Sequence, residues 1–193
     1  MVRMAKTGKL FVISAPSGTG KTTLCKKLFK ALPNLVRSIS VTTRSLRDGE
    51  QNNREYFFVD EKDFKESLSK GYFLEYAKVF DNYYGTPREF VEKNLKQNND
   101  VVLAIDVQGA MQVMKNFRSQ SEFIFILPPT INDLRERLLS RHTETEIQIQ
   151  HRLAAAKKEM SYVKKYDHQI INDNLEEAFK KLLSIINRGS CKI

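Results

Sequence analysis

The chain has 193 residues, 41% of them hydrophobic and 28% charged. That profile suits one folded domain with its own core and excludes a disordered chain or a disulfide-held mini-domain. Two cysteines, Cys25 and Cys191, form no spaced framework. This fits a reducing cytosol, with Cys25 expected on a helix as a small apolar residue. The apolar run Leu10–Ile13 is too short for an export signal or a membrane span. A net charge of +9 would suit nucleic acid, but scattered surface lysines and a local site for small anions account for it as well. We therefore expect a cytoplasmic protein with no nucleic-acid partner and no membrane insertion. Monomer and homo-oligomer remain equally open.

Leu10–Ile13 is the first of four short runs that are apolar almost throughout, the others being Val101–Ile105, Phe123–Leu127 and Gln169–Ile171. Such runs suit strands covered on both faces of a parallel sheet. An apolar helical face follows the first (Leu24, Cys25, Leu28, Phe29, Leu32). Another follows the last (Leu175, Ala178, Phe179, Leu182, Leu183, Ile186), with Asn174 as its predicted N-cap. The alternation predicts an α/β fold of three layers around a central parallel sheet.

The segment from about Val36 to Gly85 reads differently. Ile39 and Val41 alternate with Ser38, Ser40 and Thr42, and Tyr56–Val59 and Phe73–Phe80 are aromatic and extended. Asp48-Gly49 and Asn52-Asn53 are turn signals between them. A small, mostly antiparallel insertion is predicted, with a helix near Phe64–Lys70. Residues 138–161 are polar, and Thr143-x-x-Glu146 has a capping-box pattern that predicts a helix start. We expect a mobile helical flap there, and a core built from 1–35, 100–137 and 162–193.

The sharpest motif follows the first strand: Ala15-Pro16-Ser17-Gly18-Thr19-Gly20-Lys21-Thr22. It departs from the phosphate-loop pattern G-x-x-x-x-G-K-[ST] only in carrying Ala15 at the first glycine position. Glycines let backbone N–H groups turn inward toward phosphate oxygens, and the helix start adds its dipole. Lys21 can reach β- and γ-phosphates, and the Thr22 hydroxyl can hold Mg²⁺. Asp106, at the end of the strand Val101–Ile105, either binds Mg²⁺ or caps the next helix. Arg44 and Arg47 lie three residues apart, and Arg137 and Arg141 four apart. If a helix runs through the second pair, its like charges share a face and are best tolerated around an anion. Phosphoryl transfer uses fixed cations of this kind. A nucleoside monophosphate acceptor needs no general base, since its second pKa is near 6. The histidines fit no ligand or triad spacing.

The combined strings Ser14-Ala-Pro-Ser-Gly-Thr-Gly-Lys-Thr22, Ser40-Val-Thr-Thr-Arg44, Arg47-Asp-Gly-Glu50, Tyr56-Phe-Phe-Val59, Phe73-Leu-Glu75, Asn82-Tyr-Tyr-Gly-Thr86, Ile105-Asp-Val-Gln-Gly109, Pro128-Pro129 and Ile171-Asn-Asp173 resemble the guanylate kinases from about Leu10 to Ile186. The resemblance implies transfer of the γ-phosphoryl group of ATP to GMP or dGMP with Mg²⁺, a core, a GMP-binding insertion at 36–99 and a lid at 138–161. It implies ATP contacts from Ala15 through Thr22 and from Thr23, with Asn172 near the adenine. Ser40, Arg44, Arg47, Tyr56 and Tyr84 would hold the GMP phosphate, Glu75 and Thr86 would read guanine, and Asp106 would lie near acceptor and metal. Lys21, Arg44, Arg137, Arg141 and Arg152 would be the catalytic cations.

A carboxylate at Glu75 can accept from guanine N1–H and N2–H₂, and a Thr86 hydroxyl can donate to O6. Adenine would present a lone pair to the carboxylate instead. Two positions depart from the family pattern: Ala104 stands where an aspartate is usual, and His142 where a glycine is frequent. Rival readings are a scaffold domain of the same fold that binds peptides, and a kinase for another small acceptor. The intact Lys21 and Thr22 oppose the first, and Glu75 with Thr86 the second.

Overall fold

The computed structural model describes residues 7–140 and 145–190. Its first sheet is parallel throughout. It is built from β1 (Leu10–Ser14), β2 (Val36–Arg37), β7 (Val101–Ala104), β8 (Ser121–Leu127) and β9 (His168–Ile171), in the order β2-β7-β1-β8-β9. Successive residues of a strand face opposite sides. Leu10 and Val12 accordingly join one core with Val101, Leu103, Phe123 and Phe125, while Phe11 and Ile13 join another with Val102, Ile124 and Ile126. All four of Leu10–Ile13 are fully buried, each worth roughly 1.5–3 kcal/mol of hydrophobic burial.

Helices cover both faces. On one side lie α1 (Lys21–Ala31) and α7 (Leu175–Gly189), through Leu24, Leu28, Ala178, Leu182 and Ile186. On the other lie α3 (Arg88–Lys96) and α4 (Val107–Phe117), through Val91, Leu95, Ala110 and Val113. The expected three-layer α/β architecture is what the chain adopts. Asn174 caps α7 as its sequence position suggests, accepting from the N–H groups of Glu176 and Glu177.

The second sheet, ordered β4-β3-β6-β5, comprises β3 (Val41–Thr42), β4 (Phe57–Phe58), β5 (Phe73–Val79) and β6 (Asn82–Pro87). Only β3 and β4 run parallel. Phe64 of α2 (Glu61–Ser69) stacks on Phe73 and Tyr83 and, with Val41, makes a separate small core. The helix starts earlier than Phe64 because Asp60 caps it, accepting from the Asp63 N–H at 2.7 Å. The two ends of the 36–99 segment, β2 and α3, pack with the first sheet. Val41–Pro87 carries the second.

Residues of α5 (Ile131–Leu139) and α6 (Glu146–Met160) share a third cluster, Leu134, Leu138, Ile149 and Ala156. The capping box expected at Thr143 and Glu146 is made instead by Thr145 and Gln148, so α6 begins at Glu146. Both threonines are followed three residues on by a suitable acceptor. Here the Gln148 side chain closes the pair, accepting from the Thr145 N–H at 2.8 Å. Thr143 and His142 lie outside the described residues. No helix among those described is long and apolar enough to cross a membrane.

Candidate active site

The site lies at the carboxyl ends of β1 and β7, where open α/β sheets bind ligands. After β1 the chain turns into α1 through Gly18 and Gly20, at φ 95° and 94°. These left-handed conformations favour glycine. Ala15 is not among the described non-glycine residues with positive φ, so alanine at the first loop position is unstrained. The first turn of α1 has no acidic residue, which leaves its positive end free for an anion.

The loop is braced from behind. Thr19 is buried, and its hydroxyl donates to the Pro16 carbonyl at 2.8 Å. Its own carbonyl accepts from Asn172 Nδ2 at 2.6 Å, and the Asn172 carbonyl accepts from Arg137 Nη2 at 2.9 Å. A Cβ on Gly20 would stand 2.4 Å from Asn172 Nδ2, so glycine there also makes room for the brace. Lys21 Nζ donates to the Ile105 carbonyl at 2.7 Å. Burial lowers its pKa, opposed by the nearby Asp106, Glu159 and Glu75. Beneath it Cys25 is buried and its thiol is pushed up to about 11, again by burial, which leaves it inert. Asp106 caps α4, accepting from the Gly109 N–H at 2.8 Å. Its other oxygen, Oδ2, is buried and has no hydrogen-bond partner among the described residues.

The opposite wall comes from the second sheet. Glu75 on β5 is buried, and its Oε1 accepts from the Thr86 hydroxyl at 2.5 Å. Burial pushes its carboxyl up to about 7; Asp106 adds to the rise, while the Thr86 hydrogen bond and Lys21 oppose it. Arg44 Nη2 donates to both oxygens of Glu50, each at 2.9 Å, and the guanidinium lies against the rings of Tyr56 and Phe58. Burial raises the Tyr56 pKa, and Tyr84 lies beside it. On α6, Arg152 donates to the Ser17 hydroxyl at 2.6 Å.

One cleft of about 1320 Å³ joins these walls. Ala15, Pro16, Ser17, Gly18, Gly20, Lys21, Thr22 and Thr23 line its loop end. Ser40, Arg44, Arg47, Tyr56, Glu75 and Tyr84 line the second-sheet side, with Asp106 between and Arg152 at the rim. Thr19 and Asn172 stand behind the loop. Asn172, expected near adenine, faces the Thr19 carbonyl because that buried acceptor needs a donor. Thr86, expected to face guanine, is wholly buried with its only hydroxyl proton on Glu75. Arg137 is in the last turn of α5 and turned to the Asn172 carbonyl. Arg141 lies outside the described residues.

Some residues of the site are not marked by any sequence pattern above. Glu159 lines the cleft, and its carboxyl is raised to about 7 by burial, with Lys21 opposing and Asp106 adding. It stands seven residues from Arg152, two turns along one face of α6. Phe80 lines the cleft with no signal in the sequence, and Glu50, outside the lining, holds Arg44.

A parallel α/β sheet with a glycine loop opening into α1, faced by cationic side chains, defines the class of phosphate-loop nucleotide-binding proteins. The family model for guanylate kinase matches residues 7–189. The guanylate kinase of Caldanaerobacter subterraneus subsp. tengcongensis is 48% identical, over 97% of this chain and 91% of the relative. That of Wolbachia pipientis wMel is also 48% identical, over 96% and 92%. The crystal structure of guanylate kinase from Anaplasma phagocytophilum superposes with a TM-score of 0.82 at 35% identity, covering 97% of this chain and 88% of that one. The chain belongs to the guanylate kinase family.

Proposed function

We propose that the chain is a working guanylate kinase, transferring the γ-phosphoryl group of ATP to GMP or dGMP and releasing ADP and GDP. The observation that carries this reading is a single cleft with Lys21 and the glycine loop at one end and the buried carboxylate of Glu75 at the other. ATP phosphates take the loop N–H groups, and Lys21 exchanges the Ile105 carbonyl for phosphate oxygens. Glu75, ionised, accepts from guanine N1–H and N2–H₂. Thr86 acts through it by holding the carboxylate in place. Ser40, Arg44, Arg47, Tyr56 and Tyr84 hold the GMP phosphate. Arg44 then trades its Nη2 contacts with Glu50 for a second anion, keeping its aromatic support.

A GMP phosphate oxygen attacks the γ-phosphorus in line. The new P–O bond forms as the bond to the β,γ-bridging oxygen breaks, and that oxygen leaves with ADP. No covalent enzyme intermediate and no general base are required, because the attacking oxygen is already anionic. Arg152, with Arg137 and Arg141, offsets charge on the transferring group. We assign 36–99 as the GMP-binding part and 138–161 as the lid, whose closure excludes water and suppresses hydrolysis of ATP.

Mg²⁺ fits this site. Thr22 is exposed at the start of α1, and Asp106 Oδ2 has no hydrogen-bond partner among the described residues. Both offer the oxygen ligands a hard cation takes. Among the described residues no cluster of three His, Cys, Asp or Glu could hold a metal unaided, so phosphate oxygens and water would complete the shell. When bound, the ion neutralises charge on the β- and γ-phosphates. We further propose a cytoplasmic location and no nucleic-acid partner.

A coupled assay of ADP release across GMP, dGMP, AMP, UMP and CMP tests the reading. Turnover with the guanine acceptors alone is expected, and AMP matching GMP would overturn it.

A further inference from the structure

The β5–β6 hairpin turns on Phe80 and Asp81. Phe80 has φ 52° and is 53% exposed. A two-residue hairpin turn requires positive φ at its first residue, and here a bulky aromatic side chain occupies that place instead of the usual glycine or asparagine. The ring lies against α6: the guanidinium carbon of Arg152 is 5.2 Å from its centroid, within cation–π range. The same guanidinium donates from Nη1 to Ser17 Oγ at 2.6 Å. One arginine of α6 therefore touches both the phosphate loop and the tip of the second sheet. Phe80 and Asp81 of the hairpin and Gln148 and His151 of α6 line the same rim of the cleft. A long arginine side chain loses much rotamer freedom when held. A flat aromatic face restricts its planar head without competing for the donors that phosphate would use.

We propose that Phe80 is a positioning residue for phosphoryl transfer: its ring is the platform that aims Arg152 at the phosphate loop. The acceptor-side hairpin must then be in place before the donor-side cation is, which ties assembly of the two halves together. This rests on the reading of Arg152 as a phosphate contact.

The test compares Phe80→Tyr and Phe80→Trp, which keep a π face, with Phe80→Leu, which keeps apolar bulk without one. Each is made alone and, for Leu, also in an Arg152→Ala background. The readouts are kcat, the KM values for ATP and GMP, and Tm. Phe80→Leu should lower kcat about five- to tenfold with KM for GMP unchanged, the aromatic variants should retain turnover, and Phe80→Leu should cost nothing more once Arg152 is alanine. If Arg152→Ala alone leaves kcat intact, the phosphate role of Arg152 fails and the platform with it. If Arg152→Ala lowers kcat but Phe80→Leu does not, or the two losses multiply, the role of Arg152 stands and the platform is overturned.

Discussion

The space beside Gly109 belongs to Glu75: a Cβ added to that glycine would stand 2.1 Å from Glu75 Oε2. Two segments far apart in the chain thus meet at the carboxylate assigned to guanine, and α4 must be bare where they meet. Gly109→Ala should displace the carboxylate and raise KM for GMP by about tenfold or more, the scale of a lost hydrogen bond to a charged group. KM for ATP should stay within about twofold, since the loop end of the cleft is untouched. Steady-state kinetics with each substrate varied in turn checks this. An unchanged KM for GMP would remove Glu75 from the guanine site.

Lys21→Ala should lower kcat by about 10² to 10³, the scale for removing one fixed charge-stabilising group. Lys21 donates to the Ile105 carbonyl and faces the carboxylates of Asp106, Glu159 and Glu75, so Tm measured beside the kinetics separates lost catalysis from lost folding. Loss of only a few-fold in kcat would mean that the loop does not hold the donor phosphates.

Asp106→Asn separates the two roles open to that residue. Asparagine caps a helix as well as aspartate does, so the bond to the Gly109 N–H and Tm should survive. What disappears is the anionic Oδ2. A rise in the Mg²⁺ concentration needed for half-maximal turnover, measured by titration at saturating nucleotides, is expected. Unchanged Mg²⁺ dependence would leave Asp106 as a cap alone.

Asn172→Ala discriminates between an adenine contact and a brace. Removing Nδ2 strands the buried Thr19 carbonyl, a cost of about 1–3 kcal/mol. Tm should drop, and KM should rise by a similar factor for ATP and for GTP used as donor. A change confined to ATP would restore the adenine role.

Glu75 makes the enzyme pH-dependent in a calculable direction. Its carboxyl, ordinarily near 4.5, is pushed up to about 7 in the folded chain, and guanine donors need it ionised. KM for GMP should therefore rise about tenfold as pH falls from 8 to 6. Glu75→Gln should abolish that dependence while raising KM overall. For stability, the folded state holds a proton that the unfolded chain releases between pH 4.5 and about 7. The group's stabilising contribution is thus complete below 4.5 and lost as pH rises through 7. Glu75→Gln should raise stability at pH 8, by on the order of 3 kcal/mol, and leave it nearly unchanged at pH 4.5.

The main elements and the loop were legible because their signals are local. Leu10–Ile13 is apolar at every position and emerges as the central strand β1. The glycines of the loop stand where the backbone turns left-handed, and Asn174 is the cap its place in the chain suggests. Less was visible where competing signals lay close together. Thr143 and Thr145 offered the same pattern two residues apart, and packing of Ile149 against α5 accompanies the later start. The strand β2 is two residues long, with no periodicity to read.

Chain order and residue type alone determined a phosphate loop between a buried strand and an amphipathic helix, because backbone dihedrals and periodic burial are properties of neighbours in sequence. Only the tertiary structure decided that the Thr86 proton goes to Glu75, that Asn172 stands behind the loop, and that Phe80 and Arg152 touch. Those outcomes depend on which buried donor finds which acceptor after close packing, and no local pattern carries that information.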